Sequence, residues 1–235
     1  MDFSILTPTY KRPDNMEKLC NSIFETMSGE AEIELLFYIE KDDFESQKKI
    51  EELKNNEFGV RVEAYNDGKD WYNNWWQYLY TKSSGSLIML CGDDNVFKTE
   101  KWDKTVLDVA KKYEDQIVLI NCNDGSYAYA ERATHPFVTR KWCETVGYFT
   151  TGLFRGGFND TWFTEIAKEI NRFVTLENIL IEHNHPDFEK SSWDPVYDKQ
   201  KKEVFSQKSW DVFSQTKSKR MEDAEKLKSL MSKGG

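Results

Sequence analysis

The sequence predicts an α/β protein with a mostly parallel central sheet and a helical extension at its C-terminus. Three observations predict this fold class. In the first half of the 235-residue chain, short apolar segments of strand length alternate with longer segments whose apolar residues recur at helical spacing. Strands that alternate with helices of this length form right-handed βαβ units. Near the end of the chain, Met221, Ala224, Leu227 and Leu230 recur every third residue, as in a helix.

The elements follow from these patterns in chain order. Strands are predicted at Phe3–Thr7, Glu34–Glu40, Val60–Tyr65, Leu87–Cys91, Gln116–Asn121 and, in the second half, about Phe173–Glu182. Helices are predicted at Pro13–Met27, about Phe44–Asn55, Tyr72–Lys82, Trp102–Tyr113 and Thr161–Ile170. Proline suits the first position of the first helix, because its fixed φ angle is helical and its missing N–H is not needed there.

The domain organisation is predicted from a change of character near the middle of the chain. Residues 1–125 alternate regularly and form a nucleotide-binding half. In residues 126–197 the glycines cluster at Gly147, Gly152, Gly156 and Gly157, and this part forms a substrate-shaping half. Residues 198–235 form a helical basic tail.

The charge is unevenly distributed. The chain carries a formal net charge of -9, yet residues 199–235 hold ten Lys or Arg against five Asp or Glu, which leaves residues 1–198 at -14. An acidic body argues against a general nucleic-acid binder, which needs a broad positive surface. The tail could touch phosphate or an anionic membrane, but the pattern favours a solvated helix.

The longest apolar run, Leu87–Cys91, is far shorter than the ~20 residues of a membrane span. The N-terminus lacks the features of a secretory signal. The four cysteines are scattered without a Cys-x-x-Cys pair, which indicates small buried apolar residues rather than a zinc or redox site. These features predict a soluble cytoplasmic protein with no integral membrane segment.

The segment Gly92-Asp93-Asp94-Asn95 directly follows the buried strand Leu87–Cys91. In open α/β sheets, ligands bind beyond the carboxyl ends of the strands, where these carboxylates would lie. Hard oxygen ligands suit Mg²⁺ or Mn²⁺, which in turn can hold a diphosphate. A polar turn with a helix cap is the competing interpretation.

The segment Glu182-His183-Asn184-His185-Pro186 contains two of the three histidines. If it is strand-like, both imidazoles point to the same face and can present nitrogen to one metal ion. A solvent-exposed pair is the alternative.

A third segment, Gly156-Gly157-Phe158-Asn159-Asp160, precedes an amphipathic helix. Its glycines allow the backbone to approach a ligand closely. Asp160 is either the N-cap of that helix or a general base aimed into a cleft, and the two interpretations remain open.

The first loop, Thr7–Pro13, lacks the glycines of a dinucleotide fingerprint and of a P-loop. Tyr10 could stack on a base, with Lys11 or Arg12 near phosphate. An acid after the second strand, among Glu40, Asp42 and Asp43, could hydrogen-bond a base or ribose.

Taken in order, these segments resemble a glycosyltransferase of the GT-A fold, close to the large family-2-like group and to its small stand-alone phage and bacterial members. Phe3–Pro13 is similar to the opening strand and nucleotide loop of that family. Gly92–Asn95 resembles its Asp-x-Asp region, with Asn95 where many members have a third acid. Asn159-Asp160 resembles the motif of the catalytic base, with an amide replacing the first acid. In this chain, His183–Pro186 followed by Trp193–Tyr197 resembles the ending of those small members.

The resemblance implies a metal-dependent, inverting transfer of a sugar from a nucleoside-diphosphate sugar, usually UDP-linked, to an acceptor hydroxyl. It implies Asp160 as catalytic base and Mn²⁺ or Mg²⁺ held by Asp94, with Asp93 and one or both of His183 and His185. The residues expected to bind the nucleotide sugar are Pro8, Thr9, Tyr10, Arg12, Glu40, Lys69, Asn74, Asp93 and Asp94. A loop carrying Trp193, Asp194 and Tyr197 is expected to close over the donor.

The acceptor implied is a saccharide or glycan, or a hydroxymethylated pyrimidine in phage DNA within the host cytoplasm. Trp71, Trp75 and Trp76 form either an aromatic platform for it or, at their helical spacing, part of the core. Two other functions stay open. A nucleotidyltransferase that makes the sugar nucleotide is disfavoured because the first loop has no glycine. A non-catalytic nucleotide-sugar-binding module is favoured by the two amides, Asn95 and Asn159.

Overall fold

The computed structural model describes residues 1–68, 74–154, 157–188, 190, 192–206 and 208–232. The strands are β1 (Phe3–Thr9), β2 (Ile33–Ile39), β3 (Arg61–Tyr65), β4 (Leu87–Leu90), β5 (Asn95–Phe97), β6 (Leu119–Asn123), β7 (Phe137–Thr139) and β8 (Phe173–His183). The helices are α1 (Pro13–Thr26), α2 (Phe44–Lys54), α3 (Trp75–Tyr80), α4 (Trp102–Ala110), α5 (Arg140–Val146), α6 (Asn159–Glu169), α7 (Pro195–Ser206), α8 (Ser209–Gln215) and α9 (Lys217–Met231). A 3-10 turn spans Pro186–Phe188.

The eight strands form one sheet in the order β3-β2-β1-β4-β7-β6-β8-β5. β3, β2, β1 and β4 pair in parallel, as do β6 and β8. β7 is antiparallel to both β4 and β6, and β5 is antiparallel to β8. The predicted α/β class with a mostly parallel sheet is confirmed. The sequence analysis missed β5 and β7, because three residues are too few to show the two-residue period of a strand.

Two hydrophobic clusters cover the two faces of the sheet. Along β1, Phe3 and Ile5 belong to the first cluster and Leu6 to the second, because successive side chains of a strand point to opposite faces. Trp102 of α4 lies in the first cluster, with its ring centroid 4.6 Å from that of Phe97. The four cysteines are free and buried, as predicted.

Helix α9 packs on α5 and α6 and does not project into solvent. Ala224 and Leu227 are fully buried in the second cluster. Arg220, also buried, pairs with Glu165 of α6 and donates to the carbonyl oxygen of Phe213. The helical C-terminal extension is therefore confirmed, but the expectation that it is solvated is wrong for α9, since one side of this helix completes the core.

Within the described residues, every helix falls short of the length and apolar character that crossing a membrane requires.

Asp43 ties the first loop to the second helix. Its buried carboxylate caps α2 by accepting from the Ser46 backbone N–H at 3.1 Å, and it also accepts from the backbone N–H of Lys11. Asp43→Ala is expected to lower the free energy of unfolding by about 1–2 kcal/mol, because it leaves both donors without this partner. Urea denaturation measures the loss, and Asp43→Asn, which keeps an acceptor oxygen for one of the two N–H groups, should lose less stability than Asp43→Ala. Equal midpoints for Asp43→Ala and the unsubstituted protein would contradict this role.

Candidate active site

A cavity of about 450 Å³ opens at the carboxyl ends of the central strands, the edge where α/β sheets bind ligands. Most of the residues predicted for the site line it: Pro8, Thr9, Tyr10, Arg12, Glu40, Asp93, Asp94, Asp160, His183 and His185. Among the predicted residues, Asn74 is not one of the described residues that line the cavity; it accepts a hydrogen bond from the Thr150 hydroxyl at 2.7 Å. Lys69 and Trp71 lie outside the described residues.

Asp94 lies beside two histidines in a geometry that suits a divalent metal ion. One potential ligand atom from each of Asp94, His135 and His183 lies within 4.8 Å of the others. The His183 Nε2 atom is 3.3 Å from Asp94 Oδ2, and the two imidazole rings stand perpendicular with their centroids 4.6 Å apart. A Cβ atom at Gly92 would lie 2.6 Å from Asp94 Oδ1 and 3.2 Å from His135 Cε1. Glycine therefore leaves these side chains room to approach.

His135 has the tautomer and charge of a metal ligand. Its Nδ1 lies 3.2 Å from the Leu90 carbonyl oxygen, to which it donates, so Nε2 carries the lone pair. That Nε2 is buried and has no hydrogen-bond partner among the described residues. Burial, together with the neighbouring His183, lowers the pKa of His135 to about 3, which keeps the His135 imidazole neutral. An orphaned buried nitrogen beside a carboxylate and a second imidazole fits a divalent ion such as Mn²⁺.

Sequence reasoning missed His135. It lies in the connection before β7, 41 positions after Asp94, in no motif that the sequence analysis used. The sequence offered one signal: the chain has only three histidines, and His135 is the one outside the His183–His185 pair.

His185, the other predicted ligand, lies next to this group but is not part of it. Its ring centroid is 5.2 Å from that of His183 and 4.7 Å from that of Tyr197. Its Nδ1 accepts from the backbone N–H of Asp187 at 3.1 Å. Burial lowers its pKa, which favours the neutral ring.

The two adjacent aspartates have different surroundings. Asp93 accepts from the Thr9 hydroxyl at 2.7 Å and pairs with Arg12 at 3.1 Å, whereas Asp94 faces the histidines. Burial raises the pKa of Asp93 to about 6, with Asp94 adding to the shift and Arg12 opposing it. Burial would also raise the pKa of Asp94, but His183, His135 and a hydroxyl donor more than offset it, and the net pKa lies below its ordinary value. Asp94 is therefore the better metal ligand of the two.

The start of α7 lies over this pair of aspartates. Asp194 accepts from the backbone N–H groups of Val196 and Tyr197, which caps the helix, and forms a two-bond pair with Arg12 at 2.7 and 2.8 Å. Tyr197 donates its hydroxyl to Asp94 Oδ2 at 2.8 Å, and the Arg12 guanidinium lies 3.9 Å from the centre of its ring. The C-terminal segment thus holds both the first loop and the metal group.

Asp160 lies in the first turn of α6 on another wall of the cavity. The N-cap position of α6 is Phe158, so Asp160 is not the cap. Its side chain is 16% exposed, and its Oδ2 lies 3.5 Å from Arg132 Nε. Burial raises its pKa, and Arg132 opposes the shift. A partly buried carboxylate with a raised pKa at a cavity wall has the properties of a general base.

Aromatic and acidic side chains line the remaining wall. Tyr10 donates its hydroxyl to Asp42 at 2.8 Å. Trp75 and Trp76 line the cavity and also pack on the second core cluster, and Trp76 Nε1 donates to the Cys91 carbonyl oxygen at 3.2 Å. This wall can receive a flat ring together with its polar edge.

The sequence matches no protein-family profile and no curated protein. Among solved structures, the fold is similar to S. aureus TarS 1–349 in complex with UDP, with 14% identity and a TM-score of 0.60 over 77% of this chain and 59% of that chain. It is similar to TarS 1–349 in complex with UDP-GlcNAc, with 15% identity and a TM-score of 0.57 over 83% of this chain and 62% of that chain.

The mannosyltransferase PcManGT from Pyrobaculum calidifontis, in complex with GDP-Man and Mn²⁺, is also similar. It has 11% identity and a TM-score of 0.60 over 99% of this chain and 75% of that chain. This chain thus spans about three fifths of the TarS 1–349 structures and three quarters of PcManGT. At these identities the likeness shows the fold alone, and that fold is the GT-A fold that the sequence motifs resemble.

Proposed function

We propose that this protein is a metal-dependent, inverting glycosyltransferase that moves a sugar from a nucleoside-diphosphate sugar to an acceptor hydroxyl. One observation carries the proposal: the group Asp94, His135 and His183, suited to a divalent ion, and a separate, partly buried carboxylate, Asp160, line the same cavity. Sugar transfer needs both, because the leaving diphosphate requires positive charge and the acceptor hydroxyl requires a base. The GT-A fold adds support.

The donor is proposed to lie between the first loop and the metal group. A divalent ion held by Asp94, His135 and His183 would act as a Lewis acid towards the leaving diphosphate. Tyr10 and Glu40, which line the cavity, are proposed to contact the base and ribose, and Lys69 and Asn74 stay predicted contacts. TarS has been solved with UDP and UDP-GlcNAc and PcManGT with GDP-Man and Mn²⁺, so a UDP-linked donor is proposed first and a GDP-linked donor second.

The chemical step is a single displacement. Asp160 accepts the proton of the acceptor hydroxyl while the oxygen attacks the anomeric carbon from the face opposite the diphosphate. The new C–O bond forms as the bond to the diphosphate oxygen breaks, and that oxygen leaves with the electron pair. The anomeric configuration is therefore inverted.

The two amides that favoured a non-catalytic module have different positions. Asn95 is fully buried in β5, donates to Cys91 Sγ at 3.4 Å and is not among the described residues that line the cavity. Its amide therefore gives no argument against a metal site. Asn159 does line the cavity, beside Asp160.

The test is donor turnover. UDP-glucose, UDP-GlcNAc and GDP-mannose are incubated with the protein and Mn²⁺, and release of the nucleoside diphosphate is measured. Release that EDTA abolishes and Mn²⁺ restores is expected. Pyrophosphate release from a nucleoside triphosphate and a sugar phosphate would instead indicate a nucleotidyltransferase. Metal-dependent UDP binding without turnover of any donor would indicate a binding module. The cytoplasmic location stays a prediction.

The dependence of the rate on pH should report Asp160. A base must be ionised, so kcat/KM is expected to fall as the pH drops through the raised pKa of this carboxyl, at higher pH than for an ordinary aspartate. Arg132→Gln removes the opposing positive charge and should move this limb to still higher pH. The pKa of Asp93 is also raised, to about 6. The shift that Arg132→Gln causes in the acidic side of the pH–rate profile is therefore what assigns it to Asp160. A limb that stays in place in this variant would contradict the assignment.

A further inference from the structure

Trp210 lies on the surface next to the wall of the cavity that carries Asp160. It is the second residue of α8 and 69% exposed. Its ring meets the ring of Phe158 edge to face, with the centroids 5.0 Å apart. Phe158 is flanked in the chain by Gly157 and Asn159, which line the cavity, while Phe158 is not among the described residues that do. One aromatic ring therefore separates Trp210 from the backbone that positions the proposed base.

The position of Trp210 is fixed by the packing beneath it. Phe213 meets its ring at 87° with the centroids 6.4 Å apart, and Phe158 and Phe213 also contact each other. The Arg220 guanidinium lies 3.7 Å from the centre of the Phe213 ring and is itself buried. A large exposed ring that is held in place is a preorganised stacking surface, since little side-chain entropy is lost when a ligand binds.

The acceptor of the proposed reaction is the molecule that must pass this surface. Its reacting hydroxyl has to reach Asp160, while the proposed donor site lies towards the first loop and the metal group. Any part of the acceptor beyond the reacting sugar then has to leave the cavity, and Trp210 is an exposed aromatic side chain beside the wall that carries Asp160.

Local charge favours a neutral acceptor. The exposed residues on either side of Trp210, Lys208 and Asp211, have opposite charges. Arg132, at the adjacent wall, pairs with Asp160. Residues 199–235, which include Trp210, carry a net charge of +5, but four of their positive side chains pair with acids: Lys219, Arg220, Lys226 and Lys228. A phosphodiester polymer needs a concentrated positive surface, whereas the apolar face of a sugar ring needs only a flat aromatic ring on which to stack.

We propose that Trp210 forms an acceptor subsite for a neutral oligosaccharide and stacks on a sugar beyond the one that carries the reacting hydroxyl. The subsite rests on the proposed function and names its acceptor class.

The experiment compares Trp210→Ala with the control Phe58→Ala. Phe58 is also an exposed aromatic residue (44%), and it stacks on Phe24. It precedes β3, at the opposite end of the strands from the cavity. Binding is measured with UDP and Mn²⁺ present, against neutral oligosaccharides from mono- to hexasaccharide on a glycan array and against a single-stranded oligothymidylate. The unsubstituted protein and Phe58→Ala should bind the longer saccharides more tightly than monosaccharides. Trp210→Ala should lose about tenfold of that affinity, with partial recovery in Trp210→Tyr.

Three outcomes would overturn the subsite: no neutral saccharide bound by the unsubstituted protein, equal binding by Trp210→Ala and Phe58→Ala, or tighter binding of the oligothymidylate than of any saccharide. Mn²⁺-dependent hydrolysis of the donor by water separates this failure from failure of the proposed function. Its presence in the unsubstituted protein and in Phe58→Ala would show that the proposed function stands whatever the saccharide result. Its absence from every variant and from the unsubstituted protein would remove the proposed function itself.

Discussion

Asp160→Asn is expected to lower the rate of sugar transfer by about 10²–10⁴-fold and to leave donor binding unchanged. Asparagine has nearly the same shape as aspartate and can still accept from the Thr161 hydroxyl, which lies 3.3 Å from Asp160 Oδ1, but it cannot take up a proton. The rate is measured as kcat for transfer, and donor binding by calorimetry with UDP and Mn²⁺. The proposed metal group remains intact in this variant.

Asp115→Asn is the matched control for Asp160→Asn. Asp115 is also a partly buried aspartate paired with an arginine, Arg172, at 2.8 Å, but it precedes β6 at the opposite edge of the sheet and is not among the described residues that line the cavity. Its substitution should leave transfer unchanged. Full activity in Asp160→Asn would exclude Asp160 as the base.

Asp94→Ala is expected to lower the affinity for Mn²⁺ by at least about 100-fold, because removing even an outer-shell partner of a metal ligand costs 10–100-fold. The carboxylate is the negatively charged member of the group Asp94, His135 and His183, and without it only the two imidazoles remain. Mn²⁺ binding is measured directly, by calorimetry or by the electron paramagnetic resonance signal of free Mn²⁺. This readout does not require turnover.

Mn²⁺ binding also decides whether His135 or His185 completes the metal group with Asp94 and His183. His135→Asn should weaken Mn²⁺ binding more than His185→Ala, because His135 presents an orphaned buried nitrogen to Asp94 and His183. Asparagine places its amide nitrogen near the position of the imidazole Nδ1, so it retains a donor for the Leu90 carbonyl oxygen, and thermal denaturation checks that the variant is folded. Stronger loss in His185→Ala would favour the set Asp94, His183 and His185 that the sequence predicts.

The order of strands and helices was predictable because it rests on local periodicity. The positions of Asp93 and Asp94 followed for a related reason, since residues directly after a buried parallel strand must lie at the ligand-binding edge. The roles of those two residues did not follow. Arg12, about eighty positions away in the chain, engages Asp93, and this long-range contact leaves Asp94 to face the histidines.

His135 shows the same limit more sharply. No neighbour in the chain marks it as a ligand, and it joins the site because β7 inserts between β4 and β6 and brings the preceding residues to the end of β4. Three-residue strands such as β7 have too little sequence pattern to be recognised, so this rearrangement is decided by packing.

The sequence by itself determined the α/β class, the edge of the sheet where ligands bind, and the presence of acids and histidines at that edge, because each depends on residues close together in the chain. The tertiary structure alone decided which histidine meets Asp94, that α7 is capped against Arg12, and that α9 belongs to the core. The physical reason is that these features depend on contacts between segments far apart in the chain, and such contacts leave no periodic pattern of residues in the local sequence.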